Sequence, residues 1–169
     1  MGQDWVVQPE THVAEHPPRF VFFSLKGGVG RSTALSLWAR HLTQEGHQVL
    51  VIDLDLEAPG LGAQLLPEAS QPEFGVLDWL VEDLNGGDTE AVIAAMTAAS
   101  PVSDAGLIVA PALGTRTRHS PENAIAKLAR GYLEGDQAAE GGQEGFAARL
   151  RRMAEQLEKW VGADITLLD

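Results

Sequence analysis

Hydrophobic positions along the chain form short continuous runs that alternate with stretches of helical period. Phe20–Leu25 (FVFFSL) is a mostly apolar run closed by glycines, which predicts a strand buried on both faces. From Ser32 to Glu45, Leu35, Trp38 and Leu42 recur at i, i+3 and i+7, an amphipathic helix ending at Gly46. Gln48–Asp55 (QVLVIDLD) predicts a second buried strand that finishes in acidic residues. The next segment, LEAPGLG, reads as a loop, because Pro59, Gly60 and Gly62 break any period. Val76, Leu77, Leu80, Val81 and Leu84 mark a helix closed by Gly86 and Gly87, and an alanine-rich helix is expected over Glu90–Ala99. Leu107–Ala112 predicts a third strand. Ser120-Pro121 has the cap-then-proline order of a helix start, with Ile125, Leu128 and Tyr132 on one face. Phe146, Leu150, Met153, Leu157 and Trp160 mark a last helix, and ADITLLD a fourth apolar strand running to Asp169.

Strands alternating with helices predict an α/β fold, a parallel sheet with helices on both faces. Residues 1–18 are polar, contain Pro9, Pro17 and Pro18, and show no period, so they are expected to be a flexible arm before a domain over 19–169. Glu134–Gly145 is glycine-rich and acidic and is expected to be mobile. A buried parallel strand is normally followed by another crossover, and four strands are few to bury their own faces. The expectation is the N-terminal portion of a larger domain, completed by a missing C-terminal half or by a protein partner.

Composition narrows the function classes. The 169 residues suffice for one core, with 44% hydrophobic and 21% charged residues. No run reaches the ~18 apolar residues of a membrane-spanning helix. The first residues lack both the basic flank and the apolar core of a secretory signal. The absence of cysteine removes disulfides, thiolate metal sites and cysteine nucleophiles, and fits a reducing cytoplasm. A net charge of −12 disfavours nucleic-acid binding, and Arg149, Arg151 and Arg152 read as a solvated helix face. His41, His47 and His119 show no metal-ligand spacing.

Between the first strand and the first helix stands LKGGVGRST, the setting of a phosphate-binding loop. Gly27, Gly28 and Gly30 let backbone N–H groups point at an anion with no Cβ in the way. The helix that follows presents its free N–H groups and positive dipole end to the same phosphates. Ser32 is placed to ligate Mg²⁺ through its hydroxyl and Thr33 to bond a phosphate oxygen. Arg31 keeps positive charge and can fork onto two phosphate oxygens, although its planar group is bulkier than an ammonium. Asp53 and Asp55 close the second strand, at the carboxyl edge where ligands of parallel sheets bind.

The ordinary pattern G-x-x-x-x-G-K-[ST] fails at Leu25 and Arg31. The segment instead resembles the deviant loop K-G-G-x-G-K-[ST] of the MinD/ParA family of ATPases, matched by Lys26, Gly27, Gly28, Val29 at the free position, Gly30 and Ser32. The resemblance implies a P-loop NTPase-like fold, ATP and Mg²⁺ as cofactors, and a nucleotide-dependent homodimer in which Lys26 reaches phosphates of the opposite subunit. It further implies that Asp53 lies near the Mg²⁺ shell, that Asp55 orients the attacking water, and that EAPGLG is a mobile switch. ITLLD is similar to the Walker B strand, which gives Asp169 the role of bonding a water of the Mg²⁺ shell. Arginine in the loop is the departure. It resembles a bacterial branch of the family, and it implies phosphate binding with slow or conditional hydrolysis.

Three functions follow. One is an ATPase switch. Another is a non-hydrolysing nucleotide sensor or scaffold. A bacterial tyrosine kinase fits less well, because such kinases carry tyrosine-rich tails and this chain has one tyrosine, Tyr132.

Overall fold

Val49, Leu50, Val51 and Ile52 are all fully buried, so the strand they form, β2 (Val49–Ile52), must be covered on both faces. The computed structural model describes residues 16–26, 28–103, 106–131 and 145–169 and shows how that cover is built. Expectations for residues 1–15, Gly27, Tyr132 and 134–144 lie outside the described residues.

The elements follow in the order β1 (Arg19–Val21), α1 (Arg31–Gln44), β2, α2 (Leu61–Leu65), α3 (Val76–Leu84), α4 (Thr89–Ala95), β3 (Ala98–Ala99), β4 (Leu107–Ala110), α5 (Thr115–Arg118), α6 (Pro121–Ala129), α7 (Phe146–Val161) and β5 (Ile165–Leu168). The sheet has five strands in the order β1-β5-β2-β4-β3. All neighbours are parallel except β3, which runs antiparallel to β4. The last strand in sequence therefore lies between the first two.

Because side chains alternate along a strand, β2 feeds two cores. Val49 and Val51 pack with Leu35 and Ala39 of α1 and Leu61 and Leu65 of α2. Leu50 and Ile52 pack on the other face with Trp79 and Leu80 of α3, Ile93 of α4 and Met153 and Leu157 of α7. Helices thus cover both faces, as the alternating pattern predicts.

Local signals set the helix ends. Gly46 takes a left-handed φ of 93° just past α1, and Gly162, with φ 68°, ends α7. Asp78 caps α3 by accepting from the Gly75 N–H at 2.8 Å, and Asp88 caps α4 by accepting from Ala91 N–H at 3.0 Å.

Several expectations change. The first strand is not buried on both faces: it is short, and it stands at the edge of the sheet, with Val21 70% exposed and Phe23 78% exposed beyond it. Ala98–Ala99 pairs with β4 instead of extending the helix before it, since Ser100 N–H bonds the Leu107 carbonyl. Gly60–Leu66, inside and just after the segment read as loop, holds the short helix α2. Ile125 and Trp160 are exposed. Arg149 is no solvated residue: it is buried, donates to Asp83 at 2.7 Å and to the Leu80 carbonyl, and fastens α7 to the end of α3.

β1 buries little beyond its ladder to β5, and a buried carboxylate helps to hold it. Arg19 donates through Nε and Nη2 to the two carboxylate oxygens of Glu158 on α7, both at 2.7 Å. Glu158 is buried and also accepts from Thr166 of β5 at 2.9 Å. Removing one partner strands the other, so Glu158→Ala should lower unfolding free energy by about 3 kcal/mol. Urea denaturation checks this, and a loss below about 1 kcal/mol would mean that Arg19 is satisfied by water.

Candidate functional site

Three parallel strands, β1, β5 and β2, end at one edge of the sheet, and each leads into polar residues. After β1 the backbone turns through Ser24, whose hydroxyl donates to the Lys26 carbonyl at 2.7 Å and accepts the Lys26 N–H at 3.2 Å. Gly28 and Gly30 then adopt left-handed φ values of 74° and 84°, a conformation that other residues rarely take. α1 starts at Arg31 with no side-chain cap, so its first-turn N–H groups face the loop. In front of them lies a pocket of about 470 Å³, lined by Lys26, Gly28, Val29, Gly30, Arg31, Ser32, Thr33, Asp55 and Gln64.

Asp53 follows β2 and is buried. Its two carboxylate oxygens accept from the backbone N–H groups of Asp55 and Leu61, both at 3.2 Å. Asp55 is more exposed. It accepts from the Ala58 N–H at 3.0 Å and from Arg31 Nη2 at 2.7 Å. Asp169 follows β5 and is held in the sheet, its N–H on the Ile52 carbonyl at 3.1 Å and its carbonyl accepting from Leu54 N–H at 3.3 Å. Its side chain accepts from Ser32 Oγ at 2.7 Å and from Arg31 Nε.

The fold thus brings Arg31, Ser32, Asp55 and Asp169 into direct contact, with Asp53 beneath them. Lys26 and Thr33 are exposed at the pocket. Among the described residues, no three His, Asp or Glu side chains already surround one point as a metal cage. His41, His47 and His119 are exposed and do not line this pocket.

Two features were not legible in the sequence. Arg31 faces carboxylates, where its motif position pointed to phosphates alone. Gln64 reaches the pocket and lies 3.3 Å from Ser36 Oγ, a placement that depends on α2, which glycines and proline hid.

Electrostatics follow from these contacts. The Asp55 hydrogen bond and the Asp169 charge raise the Arg31 pKa further above its ordinary value, so the guanidinium stays charged. Burial pushes the Asp53 carboxyl up to about 6, against the bonds from the Asp55 and Leu61 N–H groups and with help from the charges of Asp169 and Asp55.

A family profile described as CobQ/CobB/MinD/ParA nucleotide binding domain matches residues 20–165. Among solved structures, cobyrinic acid a,c-diamide synthase from Mycobacterium smegmatis with bound ADP and magnesium is 20% identical, with a TM-score of 0.59 over 90% of this chain and 50% of that one. Apo McdA from Cyanothece is 20% identical, with a TM-score of 0.54 over 91% and 49%. The BceF tyrosine kinase domain is 24% identical, with a TM-score of 0.52 over 89% and 46%. The chain therefore spans about half the length of these structures, and at these identities the likeness is one of fold. No curated protein sequence matches.

The raised Asp53 value makes a pH prediction. Folding favours its neutral form, so its contribution to stability is complete below 3.8 and is lost as pH rises through about 6. A ¹³C titration of the ligand-free chain should place the Asp53 midpoint near 6. A midpoint below about 4 would show that the two N–H bonds outweigh burial.

Proposed function

The chain belongs to the CobQ/CobB/MinD/ParA nucleotide-binding domain family, and on that premise we propose that it is a Mg-ATP-binding switch that hydrolyses ATP slowly and pairs with a second copy around nucleotide. The observation that carries this reading is the cradle itself. Two left-handed glycines and an uncapped helix start open onto a pocket of about 470 Å³, with Lys26 and Arg31 as its cations. Backbone N–H groups at such a start bind phosphate without further help.

The donors beside the pocket suit Mg²⁺. They are hard oxygens, the Ser32 hydroxyl and the Asp169 carboxylate, already 2.7 Å apart. Mg²⁺ uses one or two carboxylates and takes its other ligands from phosphate and water, so a preformed cage is not required. Ser32 and Asp169 would hold the ion and its water, with Asp53 behind them. Held there, Mg²⁺ would supply positive charge against the phosphates. The cobyrinic acid a,c-diamide synthase structure holds ADP and magnesium, which supports a nucleotide with Mg²⁺ as the ligand here.

The remaining roles fall to residues of this chain. The N–H groups of Gly28, Gly30 and the α1 start orient the phosphates, joined on this reading by Gly27. Thr33 adds a hydroxyl at the rim. Asp55, at the mouth of the pocket, is the carboxylate able to orient a water. Lys26 is exposed and unburied by its own subunit, a placement that suits contact with phosphates across a dimer. Among the described residues no helix is long and apolar enough to cross a membrane, and a cytoplasmic setting fits this reading.

A second reading, a nucleotide sensor without turnover, is favoured by one contact. Asp55 is engaged by Arg31 at 2.7 Å, so the carboxylate that would orient water is occupied in the ligand-free chain. Calorimetry with ATP, alongside a phosphate-release assay, separates the two. Mg²⁺ should tighten ATP binding, and Ser32→Ala should reduce that gain by about tenfold. Phosphate release lost in Asp55→Asn marks the switch, and binding without release marks the sensor. A folded chain that binds no ATP overturns both.

A further inference from the structure

We propose that Arg31 is a built-in counter-ion that locks the loop after β2 in the ligand-free chain, and that a phosphate anion opens the loop by drawing the guanidinium off Asp55. The release step rests on the phosphate-site reading above; the lock does not. One side chain here joins three segments. Arg31 is the first residue of α1, and its Nε donates to Asp169 at the end of β5. Its Nη2 donates to Asp55, in the loop after β2, at 2.7 Å. The guanidinium fork makes this possible, since its rigid donors can address two acceptors from one edge. An ammonium is a compact point charge and lacks that planar span. The exchange of lysine for arginine at this position therefore creates a bridge as well as a phosphate ligand.

The consequence lies in Asp55. Its Oδ1 accepts from the Ala58 N–H and its Oδ2 from Arg31, so the carboxylate that supports the 55–58 turn is itself held in place by the arginine. The far end of the loop is fixed independently, by the Leu61 N–H on buried Asp53. Charge gives the bridge its purpose. Asp53, Asp55 and Asp169 crowd one strand edge, and Arg31 is the cation that touches two of them. A phosphate arriving at the α1 start competes with Asp55 for the same donors and repels the carboxylates. The Arg31–Asp55 pair is about a quarter exposed on each side, so it is the one an anion can displace. Loss of the Arg31 contact leaves the 55–58 turn without its outer support, and the loop opens from that end while Asp53 keeps the other.

Hydrogen exchange read by mass spectrometry on the chain tests this. Without ligand, Arg31→Ala and Asp55→Asn should each speed exchange across residues 56–58 by about fivefold, with Leu61 still protected. Inorganic pyrophosphate should give wild type the same acceleration, with binding followed by calorimetry. Unchanged exchange in both variants overturns the lock, whether or not pyrophosphate binds. Acceleration in the variants, with pyrophosphate bound and wild-type residues 56–58 still protected, overturns the release. Acceleration in the variants without pyrophosphate binding upholds the lock and removes the phosphate-site reading instead.

Discussion

The position of β5 is the constraint on which the site depends. It pairs in parallel with β1 on one side and β2 on the other, with Leu168 opposite both Val21 and Ile52. Parallel neighbours end at the same edge, so this register brings three chain exits together: the glycine loop, the acidic pair after β2, and Asp169. Arg31 and Asp169 are 138 positions apart in sequence, yet they are bonded because two strands agree in direction and register. A one-residue slip of β5 would turn its side chains to opposite faces. Thr166 would leave Glu158, and Leu167 would leave the core beneath α1.

That register is secured from the opposite end of the sheet. Glu158 takes Arg19 of β1 and Thr166 of β5 into one buried contact, so α7 fixes the two strands against each other. The arrangement matters because β1 gains little from burial. Its side chains pack mainly through Phe20, whose ring meets Trp38 edge-on at 4.9 Å, while Val21 stays exposed. Among the described residues the strand has one neighbour, and its outer edge is open. A short edge strand with exposed apolar side chains would register poorly through packing alone. The fork supplies direction and spacing instead, and through β1 it sets where the glycine loop begins.

Much of the site was legible because its signals are local. Glycines at 28 and 30, a hydroxyl at 32 and acidic residues after an apolar run are statements about neighbouring positions, and the structure brings the glycines, Ser32 and Asp55 to one pocket, with Asp169 bonded to Ser32 and Asp53 to the Asp55 N–H. What could not be read depends on strand order. An apolar run gives the same pattern at the centre of a sheet and at its edge, so the exposure of β1 was hidden. Ala98 and Ala99 by themselves suit a helix, and only the Val109 and Ile108 partners on β4 make them a strand. Arg149 looked solvated until Asp83, 66 positions away, was brought beside it. The contact of Arg31 with Asp55 and Asp169 is of this kind too, since neither carboxylate is near it in sequence.

Asp53 and Asp55 show how environment divides two carboxylates that stand two positions apart. Asp53 lies under the sheet edge, takes two backbone N–H groups and has nothing mobile among its partners. Removing it would leave those donors unpaired in a buried place, which is costly for any ligand state. Asp55 lies above, shared between one backbone N–H and one long side chain. A side-chain partner can rotate away at little cost where a backbone partner cannot. The loop from Asp55 to Leu61 therefore has a fixed end at Leu61 and an exchangeable end at Asp55, and the exchangeable end is the one that faces the pocket. A ligand at the pocket can act on the loop by replacing that bond, without any need to disturb the strand that carries it.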